Sequence, residues 1–269
     1  MAAKALVAGL VLLWILSLAF FFGRISVSTS GKPVKKDLGA TKQADTAVEK
    51  NVNVEHKKRH TIDPSRIEIM SWSPRVQVFR NILTDEECDY IIEKGKSHLE
   101  RSTVVGNDKD AAKGSKSKIR SSFGCFLTFL ENDPVIERIE KRLSLWAKFP
   151  PENGEILYLL RYEQSQQYVA HVDFFGEDGK IKIGPAGDRL MSIVMYLASP
   201  EEGGETAFPK AGIKVKAHRG DAVLFYNYHP NGTTDSNALH AGLPVIKGTK
   251  WAMTKWVRKR QFKHKFAEI

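Results

Sequence analysis

The spacing of apolar positions changes abruptly along this 269-residue chain. Ala5 to Gly23 runs for 19 residues without a charge and is rich in Leu, Val, Ile and Phe. As a helix it would span roughly 28 Å, close to the hydrocarbon thickness of a bilayer. Residues 1–23 therefore read as a transmembrane signal-anchor. A secretory signal peptide cut near Ser17-Leu18-Ala19 is the competing reading. The length of the run and the bulky Phe20-Phe21-Phe22 behind the small-residue site favour the anchor. From 24 to 66, Lys, Ser, Thr and Gly dominate with no sustained period, the pattern of a flexible basic stalk.

A folded domain is expected from about Ile67 to residue 260. Thr84-Asp-Glu-Glu87 has the form of a capping box opening a helix to about His98. Asp133-Pro134 opens a second, with Ile136, Ile139, Leu143 and Trp146 on one face. Between them, Arg101–Arg120 is polar, with few apolar anchors, and reads as a loop. After Pro151 the period shortens. Glu155–Tyr162, Leu190–Leu197, Gly212–Lys216, Asp221–Tyr226 and Lys250–Val257 are rich in strand formers and separated by Gly, Pro or Asn. Many short strands with no helices between them predict an α+β fold: a jelly-roll or barrel supported by N-terminal helices.

Composition adds two constraints. An apolar content of 42% is ample for a core. The formal charge of +10 invites a nucleic-acid reading, but nine Lys/Arg against four Asp/Glu sit in 24–60 and eight against one in 247–269. The body between is slightly acidic and carries no recognisable nucleic-acid motif, so nucleic acid is not expected as a partner. Cys88 and Cys125 are the only cysteines, enough for one bridge or two thiols and too few for a disulfide framework.

Candidate chemistry starts at His171-Val-Asp173. In an extended segment, residues i and i+2 point the same way, so an imidazole and a carboxylate can share one metal ion. His240 is the leading candidate for a second imidazole. Two His and one carboxylate leave open positions on a metal, the arrangement of non-haem Fe(II) oxygenases. His218 and His229 read as loop residues.

Ten residues past His240 stands Lys250, in Lys247-Gly-Thr-Lys-Trp-Ala-Met-Thr-Lys-Trp256. Here the sequence closely resembles the 2-oxoglutarate-dependent prolyl 4-hydroxylases, especially the plant-type, membrane-anchored members. The likeness is carried by Arg101-Ser-Thr-Val-Val105, Tyr162-Glu-Gln-Ser-Gln-Gln-Tyr168, His171-x-Asp-Phe-Phe175, Met195-Tyr-Leu197, Glu202-Gly-Gly-Glu-Thr-Ala-Phe-Pro209, Gly220-Asp-Ala-Val-Leu-Phe225 and the stretch His240–Trp256. It covers about 68–259 in consistent order.

The resemblance implies a double-stranded β-helix core over about 153–259. It implies that His171, Asp173 and His240 hold Fe(II). Lys250 would pair with the distal carboxylate of 2-oxoglutarate, helped by Thr206, and Tyr162 would line that pocket. Tyr168, Arg189 and Trp256 would lie near the substrate proline, and the Arg101–Arg120 loop would fold over the peptide. The implied activity is procollagen-proline 4-dioxygenase-type hydroxylation at C4 of peptidyl proline in proline-rich secretory proteins, releasing succinate and CO2. Ascorbate would rescue oxidised iron.

The resemblance and substrate class imply a single-pass type II protein of the endoplasmic reticulum or Golgi membrane, its catalytic domain lumenal. Arg24, Lys32, Lys35 and Lys36 after the apolar run point the other way by the positive-inside rule. In a lumen, Asn231-Gly-Thr233 is a glycosylation sequon. Val169-Ala170, Val172, Arg161, Ala241 and Leu243 depart from the family pattern beside the site, which bears on peptide preference. Two rival readings stay open: an oxygenase of this fold acting on another substrate, and an inert proline-peptide-binding module.

Overall fold

The computed structural model describes residues 62–102, 120–176 and 183–262. The apolar run 1–23, nearly all of the stalk 24–66 and most of the Arg101–Arg120 loop lie outside the described residues. Among the described residues, no helix is long and apolar enough to cross a membrane.

The domain opens with a hairpin, β1 (Ile67–Trp72) and β2 (Arg75–Phe79). Helix α1 (Asp85–Gly95) follows, and its first turn holds the expected box: Glu87 N–H donates to Thr84 Oγ1 at 3.2 Å and Thr84 N–H to the Glu87 carboxylate at 3.0 Å. The α-helix ends three residues before His98, and a 3-10 turn completes the segment. β3 (Glu100–Arg101) and β4 (Phe123–Phe126) precede α2 (Pro134–Ala147), which Asp133 caps at Val135 and Ile136. Ile139, Leu143 and Trp146 of α2 are buried. Arg142 donates to Glu87 at 2.6 Å, a buried ion pair that joins the two helices.

Among the described residues ten strands follow: β5 (Tyr158–Tyr162), β6 (Tyr168–His171), β7 (Arg189–Ala198), β8 (Glu202–Gly203), β9 (Thr206–Phe208), β10 (Ile213–Val215), β11 (Ala222–Tyr226), β12 (His240–Gly242), β13 (Val245–Lys247) and β14 (Lys250–Arg258). All five strands expected from pattern are present with shifted ends; the largest shift starts β5 at Tyr158 instead of Glu155. β1-β2-β11-β7-β14-β5-β4-β3 form an eight-stranded antiparallel sheet, and β10-β9-β12-β6 a four-stranded one.

Period-two alternation gives the large sheet two working faces. On one, Leu159, Ile193, Met195, Leu224, Met253 and Val257 join Ile91 of α1 and Ile139 and Leu143 of α2 in the main core. On the other, Val76, Val78, Tyr196, Val223 and Phe225 meet Phe208 and Val215 from the small sheet. Two sheets face to face with helices behind one of them make a jelly-roll core of the expected α+β class. The space between the sheets is where the site forms. Cys88 and Cys125 are free thiols.

Candidate active site

Neighbouring strands of the small sheet bring the three candidate metal ligands together. His171 ends β6 and His240 opens β12, and the two are register partners across that pair. Asp173 lies two residues past His171. Their ligand atoms all fall within 4.8 Å of one another, the one such His/Cys/Asp/Glu group found among the described residues. His171 Nε2 is 3.6 Å from Asp173 Oδ1, and His240 Nε2 is 3.7 Å from Asp173 Oδ2.

Outer contacts fix these side chains. His171 Nδ1 meets Val169 O at 2.9 Å and His240 Nδ1 meets Ala238 O at 3.0 Å. A carbonyl only accepts, so each Nδ1 carries the proton and each Nε2 turns its lone pair inward. Ser192 on β7 donates to Asp173 Oδ2 at 2.6 Å and itself receives Asn227 Nδ2 at 3.2 Å. Tyr168 stacks on His171 with ring centres 3.5 Å apart, and Phe225 lies 4.4 Å from the His240 ring. Burial, together with the neighbouring His171, lowers the pKa of His240 to about 4, which keeps the imidazole neutral and able to ligate. Burial alone would raise Asp173, but His240 and His171 outweigh it and hold the carboxyl below its usual range. Two inward lone pairs and a carboxylate with an anchored oxygen fit a ferrous ion.

The wall behind the triad is built by β14, β5 and β9. Lys250, buried at the start of β14, is the register partner of Tyr162 at the end of β5. Its Nζ donates to Gly204 O at 2.7 Å. Gly204 has φ +72°, and a Cβ there would meet Pro200 at 2.8 Å and the Lys250 stem at 3.3 Å, so glycine admits the close approach. Burial lowers Lys250 to about 8, partly offset by Glu205. Tyr196 Oη and Thr206 Oγ1 share a 2.5 Å hydrogen bond. A buried ammonium beside a fixed hydroxyl is a receptor for an anionic end group.

The cavity is lined by the triad, Lys250, Thr206, Tyr162, Tyr168 and Trp256, and also by Arg120. Arg189, expected beside the substrate, is near enough to the cavity for its charge to act on Asp173 and Tyr168. Its guanidinium lies 3.9 Å from the Trp256 ring centre and pairs with Glu155 at 2.7 and 2.9 Å, which braces the Trp256 ring. Sequence reasoning missed Arg120, which looked like the solvated end of a polar loop. It is buried, forms a bridge with Tyr168 and sits over the Tyr158 and Tyr168 rings at 5.1 and 4.7 Å. Ser192 was also missed, although a hydroxyl inside the apolar run Leu190–Leu197 is a signal. Asn231 is exposed, and its Oδ1 accepts from Thr233 Oγ1 at 2.7 Å.

A jelly-roll with two imidazoles and one carboxylate on adjacent strands, backed by a buried lysine, has the architecture of a 2-oxoglutarate- and Fe(II)-dependent oxygenase. Consistent with that class, residues 157–258 match the family model of the 2OG-Fe(II) oxygenase superfamily. "Probable prolyl 4-hydroxylase 7" of Arabidopsis thaliana is 39% identical over 222 residues, covering 76% of this chain and 69% of that protein. "Prolyl 4-hydroxylase 1" of the same plant is 42% identical over 207 residues, with 72% of each covered. Among solved structures, the 2OG complex of the viral collagen prolyl hydroxylase of Paramecium Bursaria Chlorella virus-1 aligns with a TM-score of 0.54 at 29% identity, covering 68% of this chain and 95% of that one. The chain belongs to the prolyl 4-hydroxylase family.

Proposed function

We propose that this protein hydroxylates C4 of prolyl residues in proline-rich polypeptides, using Fe(II), O2 and 2-oxoglutarate. The observation that carries the reading is one cavity with a His-Asp-His cluster at its centre, a buried lysine at its back and aromatic walls. Bound iron and 2-oxoglutarate supply the oxidising chemistry: one atom of O2 goes to the proline, the other to succinate, and CO2 leaves. The chain supplies geometry and the exclusion of water. His171, Asp173 and His240 would hold the metal. Lys250 Nζ and Thr206 Oγ1 receive the distal carboxylate, with Tyr162 beside them. Tyr168, Trp256 and Arg120 wall the opening where the proline ring sits, and Arg189 braces Trp256. Ascorbate would serve as the reductant that keeps the iron ferrous.

The test is mass spectrometry of proline-rich peptides incubated with the protein, Fe(II) and 2-oxoglutarate. The expected product carries one added oxygen per modified proline, with matching succinate. Asp173→Ala abolishes both and weakens Fe(II) binding by more than about 100-fold. Turnover of some other compound, with every proline peptide untouched, overturns the substrate assignment.

The reading extends to the cell. An apolar run at 5–23 fits a membrane anchor, and an exposed Asn231 sequon fits a glycoprotein in the lumen of the endoplasmic reticulum or Golgi. Proline-rich secretory chains would be encountered there. In sealed microsomes the domain resists added protease until detergent is present; digestion without detergent reverses the orientation.

A further inference from the structure

The large sheet ends on two edges of opposite character. At one end stands β3, two residues long, with Glu100 and Arg101 both charged and exposed. A short, charged edge strand resists further pairing. At the other end stands β1, six residues long, and its outer side pairs with no strand among the described residues. Ile69 is 51% exposed, Met70 36% and Trp72 73%, three large apolar side chains on one edge. A long apolar edge with open backbone groups is a template for another strand.

The ladder between β1 and β2 shows which backbone groups are open. Arg80 N–H donates to Arg66 O at 2.9 Å, and two residues along each strand Glu68 is the register partner of Val78. Hydrogen-bonded and non-hydrogen-bonded partners alternate in an antiparallel pair, so Arg66 and Glu68 turn their N–H and C=O toward β2. Ile67 and Ile69 therefore turn theirs outward. A bulge between Ile69 and Ser71 ends this regular stretch.

We propose that β1 pairs with the β1 of a second copy of this chain, antiparallel and about a two-fold axis at Glu68, so that one sheet runs through two molecules. Ile67 of each copy then bonds Ile69 of the other, which uses every outward group of the stretch. A two-fold contact needs a surface that complements itself, and an antiparallel edge centred on one residue does. Isoleucine meets isoleucine across the new pair, with Met70 and Trp72 flanking it. The two Glu68 carboxylates meet at the axis, and each is already held by its own Arg80 at 2.9 and 2.7 Å, so neither charge is left unpaired. β1 directly follows the stalk, so the axis brings both stalk ends to one place. That suits two chains held in one bilayer, where confinement raises the effective concentration for a small interface. The axis stands perpendicular to the sheet, which puts both small sheets, and both candidate metal sites, on the same side.

Glu68→Cys in the full-length chain, kept in its membrane, tests this. At a non-hydrogen-bonded antiparallel pair the two Cα atoms lie about 4.5 Å apart, within reach of a disulfide. Mild oxidation should convert most of the variant to a covalent dimer on a non-reducing gel. The wild type, with its free Cys88 and Cys125, should stay monomeric there, as should Lys96→Cys on the exposed 3-10 turn after α1. Adding Trp72→Glu to Glu68→Cys should cut the dimer yield about tenfold, because each copy then sets a charge into the apolar contact. Circular dichroism checks that both variants remain folded. A Glu68→Cys yield no higher than that of Lys96→Cys overturns the pairing. So does a yield that Trp72→Glu leaves unchanged, which would place any contact between copies elsewhere in the chain. None of these readouts depends on which substrate the protein hydroxylates.

Discussion

Lys250 shows how far a single residue's chemistry departs from its intrinsic value. Burial pushes the Lys250 ammonium, which donates to the Gly204 carbonyl, down from 10.5 to about 8. Between those values the unfolded chain holds the extra proton, so stability of the ligand-free domain rises with pH from about 8 to 10, and the cost of the buried charge is fully present below 8. A bound carboxylate reverses the balance by favouring the charged form. Binding of 2-oxoglutarate should therefore take up a fraction of a proton near pH 8 and weaken as pH rises through that range. Calorimetry in buffers of different ionisation enthalpy measures the uptake, and Lys250→Ala removes it. The sequence made Lys250 conspicuous through its motif. It could not reveal the depressed pKa, which comes from strands β5, β9 and β14 closing around it.

Among the elements, β7 carries the clearest division of labour. Ile193, Met195 and Leu197 face the helices, while Ser192 and Tyr196 reach toward Asp173 and Thr206. Ser192→Ala leaves one Asp173 oxygen without its donor. It should lower Fe(II) affinity about 10- to 100-fold while activity at saturating iron largely recovers, as iron titration can read. Helices and long strands were legible because each buries a face over many residues. The hairpin β1–β2 was passed over even though Val76 and Val78 alternate with Arg75 and Gln77, because five residues of alternation carry little weight alone. Strands of two or three residues, such as β8, β9, β12 and β13, leave no period to detect. Their conformation is set by pairing partners distant in sequence.

At the scale of the molecule, the two helices behind the large sheet are joined by the Glu87–Arg142 pair, 2.6 Å apart and nearly buried on both sides. Arg142→Ala strands the Glu87 carboxylate between the helices and should cost about 3 kcal/mol, lowering Tm by roughly 10 °C in thermal unfolding. A small change in Tm would mean that water replaces the arginine. What the sequence determined by itself was the α+β class, the two helices with their caps, and the residue types of the metal site, because these depend on spacing within a few residues or on motifs that survive as strings. Only the tertiary structure decided that His240 faces His171 across β12 and β6, that Arg120 belongs to the cavity, and that Arg189 pairs with Glu155 against the Trp256 ring. Those facts are contacts between side chains tens of residues apart, set by strand register and burial, and no local pattern encodes them.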